Sequence, residues 1–282
     1  ILTALSLALS LLPTAAFAEE GDVINVDGET YTAETLMSSV VQSGNDISVT
    51  PFKTGSTVTL LDDYTMELGS GRLILPEGNF TIDLNGHKLE LNSSYQMAIY
   101  AADTDLTIQG GELSGSAVSF LVYSTNRTTT GSLTMESVKV NFTATGSEPM
   151  AIFAHGQTTS FENVDITANA GCVDVSGTAE FTGCTFTTTG DGVGTGHPFT
   201  AVAVCRGGTA TIYSGTYSAP YALYVYNTGG TIDVRSGIFT GTEAVLRADT
   251  RGKISVSDGE FVGSITENDT GEIEISGGSF TA

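Results

Sequence analysis

The chain has 282 residues, with 10 basic against 32 acidic and a net charge of -22 at pH 7. So few cations cannot assemble a phosphate-neutralising patch, which excludes nucleic acid as a partner, and the acidity favours solubility and, among ions, Ca²⁺. Cys172, Cys184 and Cys205 are too few and too odd in number for a disulfide framework. They are expected either as free thiols in or near a core or as one bridge with one thiol left over.

Residues 1–18 carry no charge and run from Ile1 to Leu12 as an apolar block, followed by Pro13 and the small-residue stretch Ala15-Ala16-Phe17-Ala18. This is the pattern of a secretory signal peptide and its cleavage site, shorter than the roughly 20 apolar residues of a membrane span. The basic start of such a signal and an initiator Met are missing, so the sequence begins inside the signal and a mature chain is expected from Glu19. That chain would be exported, secreted or held at a cell surface, with no further membrane span.

Residues 19–57 are expected to form an N-terminal cap. Within them 32–43, TAETLMSSVVQS, is the single helix candidate, with Leu36, Val40 and Val41 on one face and Gly44 as its stop. Laid over the first coil, it would cover an open sheet edge.

From residue 58 the chain repeats. Nine blocks alternate apolar and polar residues, turn at a small residue and close on an apolar one: IDLNGHKL from Ile82, LTIQGGEL from Leu106, LTMESVKV from Leu133, TSFENVDI from Thr159, AEFTGCTF from Ala179, ATIYSGTY from Ala210, IDVRSGIF from Ile232, ISVSDGEF from Ile254 and IEISGGSF from Ile273. Apolar residues at block positions 1, 3 and 8 imply two short strands meeting at a corner near position 6, where Gly111, Gly215, Gly237, Gly259 and Gly278 supply backbone freedom. A further apolar segment precedes most blocks: MAIYAA from Met97, FLVYS from Phe120, MAIFA from Met150, AVAVC from Ala201, YALYVY from Tyr221 and EAVLRA from Glu243. Three short strands per repeat cannot stand alone but can stack on their neighbours at about 4.8 Å. The expectation is an all-β, right-handed parallel β-helix over 58–282, with Ile108, Met135, Phe161 and Phe181 in one inward column, Leu84 before them and Ile212 after. Block starts separated by 19 to 31 residues argue against the stricter left-handed hexapeptide helix. The last block ends two residues before Ala282 with no capping element, so more coils or a cap are expected beyond it.

The opening coils, STVTLLDDYTMELGSGRLILPEGNFTIDLNGHKLEL over 56–91, and the later I-x-I-S-G-G-x-F blocks resemble pectin-lyase-like β-helix proteins of gut Firmicutes, often described as adhesin-like. The resemblance spans most of 30–282 and implies the fold; its known members include lyases, hydrolases and inert stalks alike. Lyases of this kind need clustered acidic Ca²⁺ ligands with an Arg or Lys base, and hydrolases need stacked Asp residues.

Equivalent block positions lie above one another in such a fold, so chemistry can be sought in columns. Position 4 stacks Glu136 on Glu162, the acid-pair or Ca²⁺ candidate, with Lys139 as a candidate base beside them; the alternative is a solvated pair of surface carboxylates. Position 7 reads Lys88, Glu112, Lys139, Asp165, a ladder of exposed ion pairs. His87 falls in an Asn-Gly-His corner, His155 follows a strand, and Asp191, His197 and Arg206 could meet around a Gly-rich loop. No phosphate-binding loop or zinc spacing occurs. Tyr100, Tyr123, Phe153, Tyr224 and Tyr226 alternate with aliphatics and form a candidate carbohydrate-binding row, against the alternative of a structural aromatic stack. The function expected is that of a secreted or cell-surface, non-catalytic, adhesin-like stalk that binds a polysaccharide or host glycan without a cofactor. The alternative is a polysaccharide lyase or glycoside hydrolase acting on an acidic polysaccharide through Glu136, Glu162 and Lys139.

Overall fold

The computed structural model describes residues 21–126, 131–146, 149–190 and 199–282. Residues 1–18, read above as a signal peptide, and Asp191 and His197 lie outside the described residues. The chain winds as a β-solenoid of about eight turns whose coils pair in parallel. Among the described residues no helix is long and apolar enough to cross a membrane.

Each full coil contributes to three sheets. Block positions 1–3 form the first, where Ile82, Ile108, Met135, Phe161, Phe181, Ile212, Val234, Val256 and Ile275 pair in sequence as one column. Side chains alternate across a strand, so burying this column turns its neighbours to solvent. The expected column is therefore present with one correction: its first member is Ile82, not Leu84. The Asn-Gly-His corner of the first block is two residues longer than the others, and Leu89 regains register opposite Leu113.

Block position 8 begins the second sheet and carries Leu89, Leu113, Val140, Ile166, Phe186, Tyr217, Phe239, Phe261 and Phe280. From Tyr217 onward the rings stack face to face, at 5.1, 4.8 and 4.6 Å between centroids and within 8° of parallel. These spacings are close to the strand repeat itself, so one ring per coil fills the interior without a gap.

The corner between the two sheets is built in two ways. In the first five blocks a left-handed residue is at position 5: Gly86, Gly110, Ser137, Asn163 and Gly183 have φ between 53° and 83°. Position 6 then needs no positive φ, and three of these blocks bury a side chain there, Val138, Val164 and Cys184. In the last four blocks position 6 is a glycine at positive φ, as in Gly237 at 142°. A Cβ on Gly237 would come within 2.9 Å of the Phe239 ring, and one on Gly259 within 3.0 Å of Phe261. Glycine at position 6 thus makes room for a stacked aromatic two residues later. The expectation of positive φ at Gly111 is corrected, since Gly110 takes that conformation; Gly111 is needed for space, as its Cβ would lie 2.6 Å from that of Leu84.

At the N-terminal end, strand Asp22–Val26 pairs antiparallel with both Glu29–Thr32 and Thr57–Leu60. A helix spans only Ala33–Ser38, with the Thr32 side chain accepting from the backbone N–H of Thr35 and Leu36 buried in the core. The helical reading of 39–43 is corrected: Val40–Ser43 is a strand, folded back on Asp46–Val49 across Gly44-Asn45. β-Branched valines before a Gly-Asn pair are a hairpin signal, and it prevails over the weak helical periodicity. Asp46–Val49 in turn pairs in parallel with Arg72–Ile74, so the third sheet reaches back into the segment before residue 58.

Candidate functional site

The third sheet holds Met97–Ala102, Phe120–Thr125, Met150–His155, Gly171–Val175, Thr200–Cys205 and the stretch 221–226 of Gly215–Tyr226, coil upon coil. Ile99, Val122, Ile152, Val173, Val202, Leu223 and, on the next coil, Leu246 point into the core. The residues that follow them form the outer column Tyr100, Tyr123, Phe153, Asp174, Ala203, Tyr224 and Arg247.

All five aromatic residues anticipated from the sequence lie along this face, in two groups. Tyr100 and Tyr123 are 5.8 Å apart, and Tyr123 stacks on Phe153 at 4.6 Å. Tyr224 stacks on Tyr226 at 5.2 Å, beside Tyr221. An arginine covers the outer end of each group. The Arg72 guanidinium sits 4.1 Å from the Tyr100 ring centre and binds Asp46 at 2.7 Å, and Arg247 sits 4.8 Å from Tyr224 and forks onto Asp249. Burial alone would raise the Asp249 carboxyl, but hydrogen bonds from Arg247, Tyr224 and Asn268 outweigh it and hold the group below its usual range. Tyr100 and Tyr224 are buried, while Tyr123, Phe153 and Tyr226 are half-buried.

Two coils that carry Asp174 and Ala203 in place of rings separate the groups, and a pocket of about 150 Å³ opens there. Phe120, Met150 and Phe153 line one side, Arg206, Tyr226 and Asn227 the other, and His155, Asp174 and Cys205 complete it. The last three are all buried. Tyr226 donates its hydroxyl to Asp174 Oδ2 at 2.6 Å. The other carboxylate oxygen, Oδ1, faces Cys205 Sγ at 3.5 Å and His155 Nε2 at 3.6 Å, and those two atoms are 3.8 Å apart. The His155 ring stacks on Phe153 at 3.4 Å. Burial first, and the Asp174 charge next, push the Cys205 thiol up to about 12. A thiol that keeps its proton at neutral pH is not an activated nucleophile. Nor is this a relay of the kind used in acyl transfer, where the base contacts nucleophile and acid through different ring nitrogens. Here the carboxylate and the sulfur face the same nitrogen.

Glu136 and Glu162 pair across adjacent coils of the first sheet, both exposed, and neither lines the aromatic pocket. Lys139 is exposed and bonds Glu112 at 3.2 Å. It pairs with Glu112 and Asp165 in the position-7 ladder, where Lys88 instead bonds Glu90 at 2.8 Å. His87 lies 3.7 Å from Asp63. All three cysteines are buried free thiols.

The convergence of His155, Asp174 and Cys205 emerges from the sequence only when GCVDV, residues 171–175, is set in register with its neighbours. Set on the inward residues Ile152, Val173 and Val202, the segments MAIFAH, GCVDV and AVAVC bring His155 and Cys205 to one offset. They also expose a lone carboxylate between two valines, and that is the signal that was available. No family model matches the chain, and neither a curated protein nor a solved structure gives a match.

Proposed function

We propose that the chain is a secreted or cell-surface, non-catalytic β-solenoid of the pectin-lyase-like, adhesin-like kind, and that its third-sheet face binds glycan. One observation carries this reading: a pocket large enough for a single ring opens where the aromatic row is interrupted, with Phe153 on one side and Tyr226, Arg206 and Asn227 on the other. Aromatic walls with a few polar groups suit a sugar, which offers an apolar ring face and hydroxyls at its edge. Tyr100, Tyr123 and Tyr224 serve this reading indirectly, since their faces are occupied by neighbouring rings and arginines and they fix the position of the walls. The enzymatic alternative has less support, because Glu136 and Glu162 are open surface carboxylates with Lys139 committed to Glu112.

The test is retention on a panel of immobilised neutral and acidic polysaccharides. Replacing Phe153 by Ala should weaken retention about tenfold, equivalent to about 1.4 kcal/mol, with the far-UV spectrum unchanged, and Glu136→Gln with Glu162→Gln should leave it intact. Unchanged retention in Phe153→Ala would remove the pocket from the reading. Release of unsaturated or reducing ends from polyuronates, with or without Ca²⁺, would replace it with the enzymatic one.

A further inference from the structure

We propose that His155, Asp174 and Cys205 form a binding site for a divalent transition-metal ion of the Zn²⁺ class. The proposal stands on the donor geometry alone and does not depend on glycan binding.

Three donor atoms of three kinds, imidazole Nε2, carboxylate Oδ1 and thiol Sγ, converge from three coils with separations of 3.5, 3.6 and 3.8 Å. A point equidistant from them lies about 2.1 Å from each, against Zn–N and Zn–O bonds of about 2.0–2.2 Å and Zn–S bonds of about 2.3 Å. Lifting the ion slightly out of the plane lengthens all three contacts and leaves its fourth tetrahedral position toward the pocket, for water or a ligand oxygen.

Hydrogen bonding does not account for the cluster equally well. Asp174 is buried, yet among the described residues its Oδ1 meets a weak S–H donor at 3.5 Å and an imidazole nitrogen at 3.6 Å, beyond normal N–H···O range. A buried carboxylate oxygen so poorly matched is costly, and a cation is the partner that offsets it. The surrounding contacts have the form of a second coordination shell. Tyr226 fixes the far carboxylate oxygen, and Phe153 fixes the imidazole plane. A thiolate among the donors disfavours Ca²⁺ and Mg²⁺, which take oxygen ligands, and favours borderline ions. As the ion binds, the Cys205 sulfur replaces its bond to hydrogen with a bond to the metal, and the proton leaves to solvent.

The probe is Co²⁺, titrated into the reduced 282-residue chain. The expected result is one equivalent bound, with a sulfur-to-cobalt charge-transfer band in the near ultraviolet and visible bands of tetrahedral intensity, all displaced by Zn²⁺. Cys205→Ser should abolish the charge-transfer band. His155→Gln and Asp174→Asn should weaken binding at least tenfold, while Glu136→Gln with Glu162→Gln should change nothing. Absence of the band up to millimolar Co²⁺, or its persistence in Cys205→Ser, overturns the proposal. X-ray absorption at the zinc edge of the unsubstituted protein decides the matter even where a variant fails to fold: one sulfur with nitrogen and oxygen neighbours supports the site, and a shell of nitrogen and oxygen alone overturns it.

Discussion

Asp249 concentrates more interactions than any other carboxylate along the third sheet. It accepts from two Arg247 nitrogens, from the Tyr224 hydroxyl at 2.6 Å and from Asn268 at 2.8 Å, and so ties the last aromatic group to the following coil. Because its folded pKa lies below the ordinary value of 3.8, the stabilisation it supplies is complete above that value and is lost as pH falls through it and below. Melting temperatures of the parent chain and of Asp249→Asn, compared at pH 6 and pH 3, should therefore differ most at pH 6. At that pH the substitution should cost about 1–3 kcal/mol, the usual penalty for losing charged hydrogen bonds. An equal difference at both pH values would mean that the carboxylate's charge is not what matters. The thiols behave in the opposite sense. Burial holds Cys172 at about 12 and Cys184 at about 11, so both should resist thiol reagents until the chain unfolds.

Among the coil elements, the two ways of turning the corner make glycines unequal. Gly237 has φ of 142° and lies against the Phe239 ring, whereas Gly207 has φ of 78° with nothing within 4 Å of an added Cβ. Replacing either by Ala carries a backbone cost of about 1–3 kcal/mol, but only Gly237→Ala must also displace a stacked ring. Its loss of stability, measured by denaturant unfolding, should exceed that of Gly207→Ala; equal losses would show that ring packing does not set the corner. The strands themselves were legible in the sequence because apolar residues at positions 1, 3 and 8 repeat whatever lies between blocks. The register of the first block was not legible, since Leu84 looks like any inward residue until the length of the Asn-Gly-His corner is known. Nor was the hairpin at Val40, where a helical face and a strand pattern coincide in the same few residues. The site was hidden for a related reason: its three donors come from segments 50 residues apart in sequence, between His155 and Cys205, and meet only once the third-strand segments are in register.

For the molecule as a whole, stability is a sum over neighbouring coils, so it need not be even along the axis. In the 282-residue chain Val256 and Phe261 are each 1% exposed, while Ile275 and Phe280, one coil further on, are 46% and 38% exposed. Amide exchange should accordingly be fastest in Glu272–Ile275 and Ser279–Thr281 and slowest in the coils around Phe161 and Phe181, where rings from both sheets interlock at 5.6 Å. Uniform protection along the chain would mean that the coils unfold as one unit.

The change of corner between the fifth and sixth blocks also governs how such a chain could lengthen. A coil beginning at Ile232 or Ile254 brings its own glycine and its own flat ring, and each ring meets another like it above and below. Inserting a second copy of 232–253 after the first keeps every one of those contacts, so the duplicated chain should fold with an added turn. Moved between the coils of Met135 and Phe161, the same 22 residues would set a stacked phenylalanine against Val140 and Ile166, and a glycine where Val138 and Val164 fill the interior. The solenoid therefore contains two populations of coil, interchangeable within each and incompatible across the boundary, and insertions that survive in one half should unfold the other.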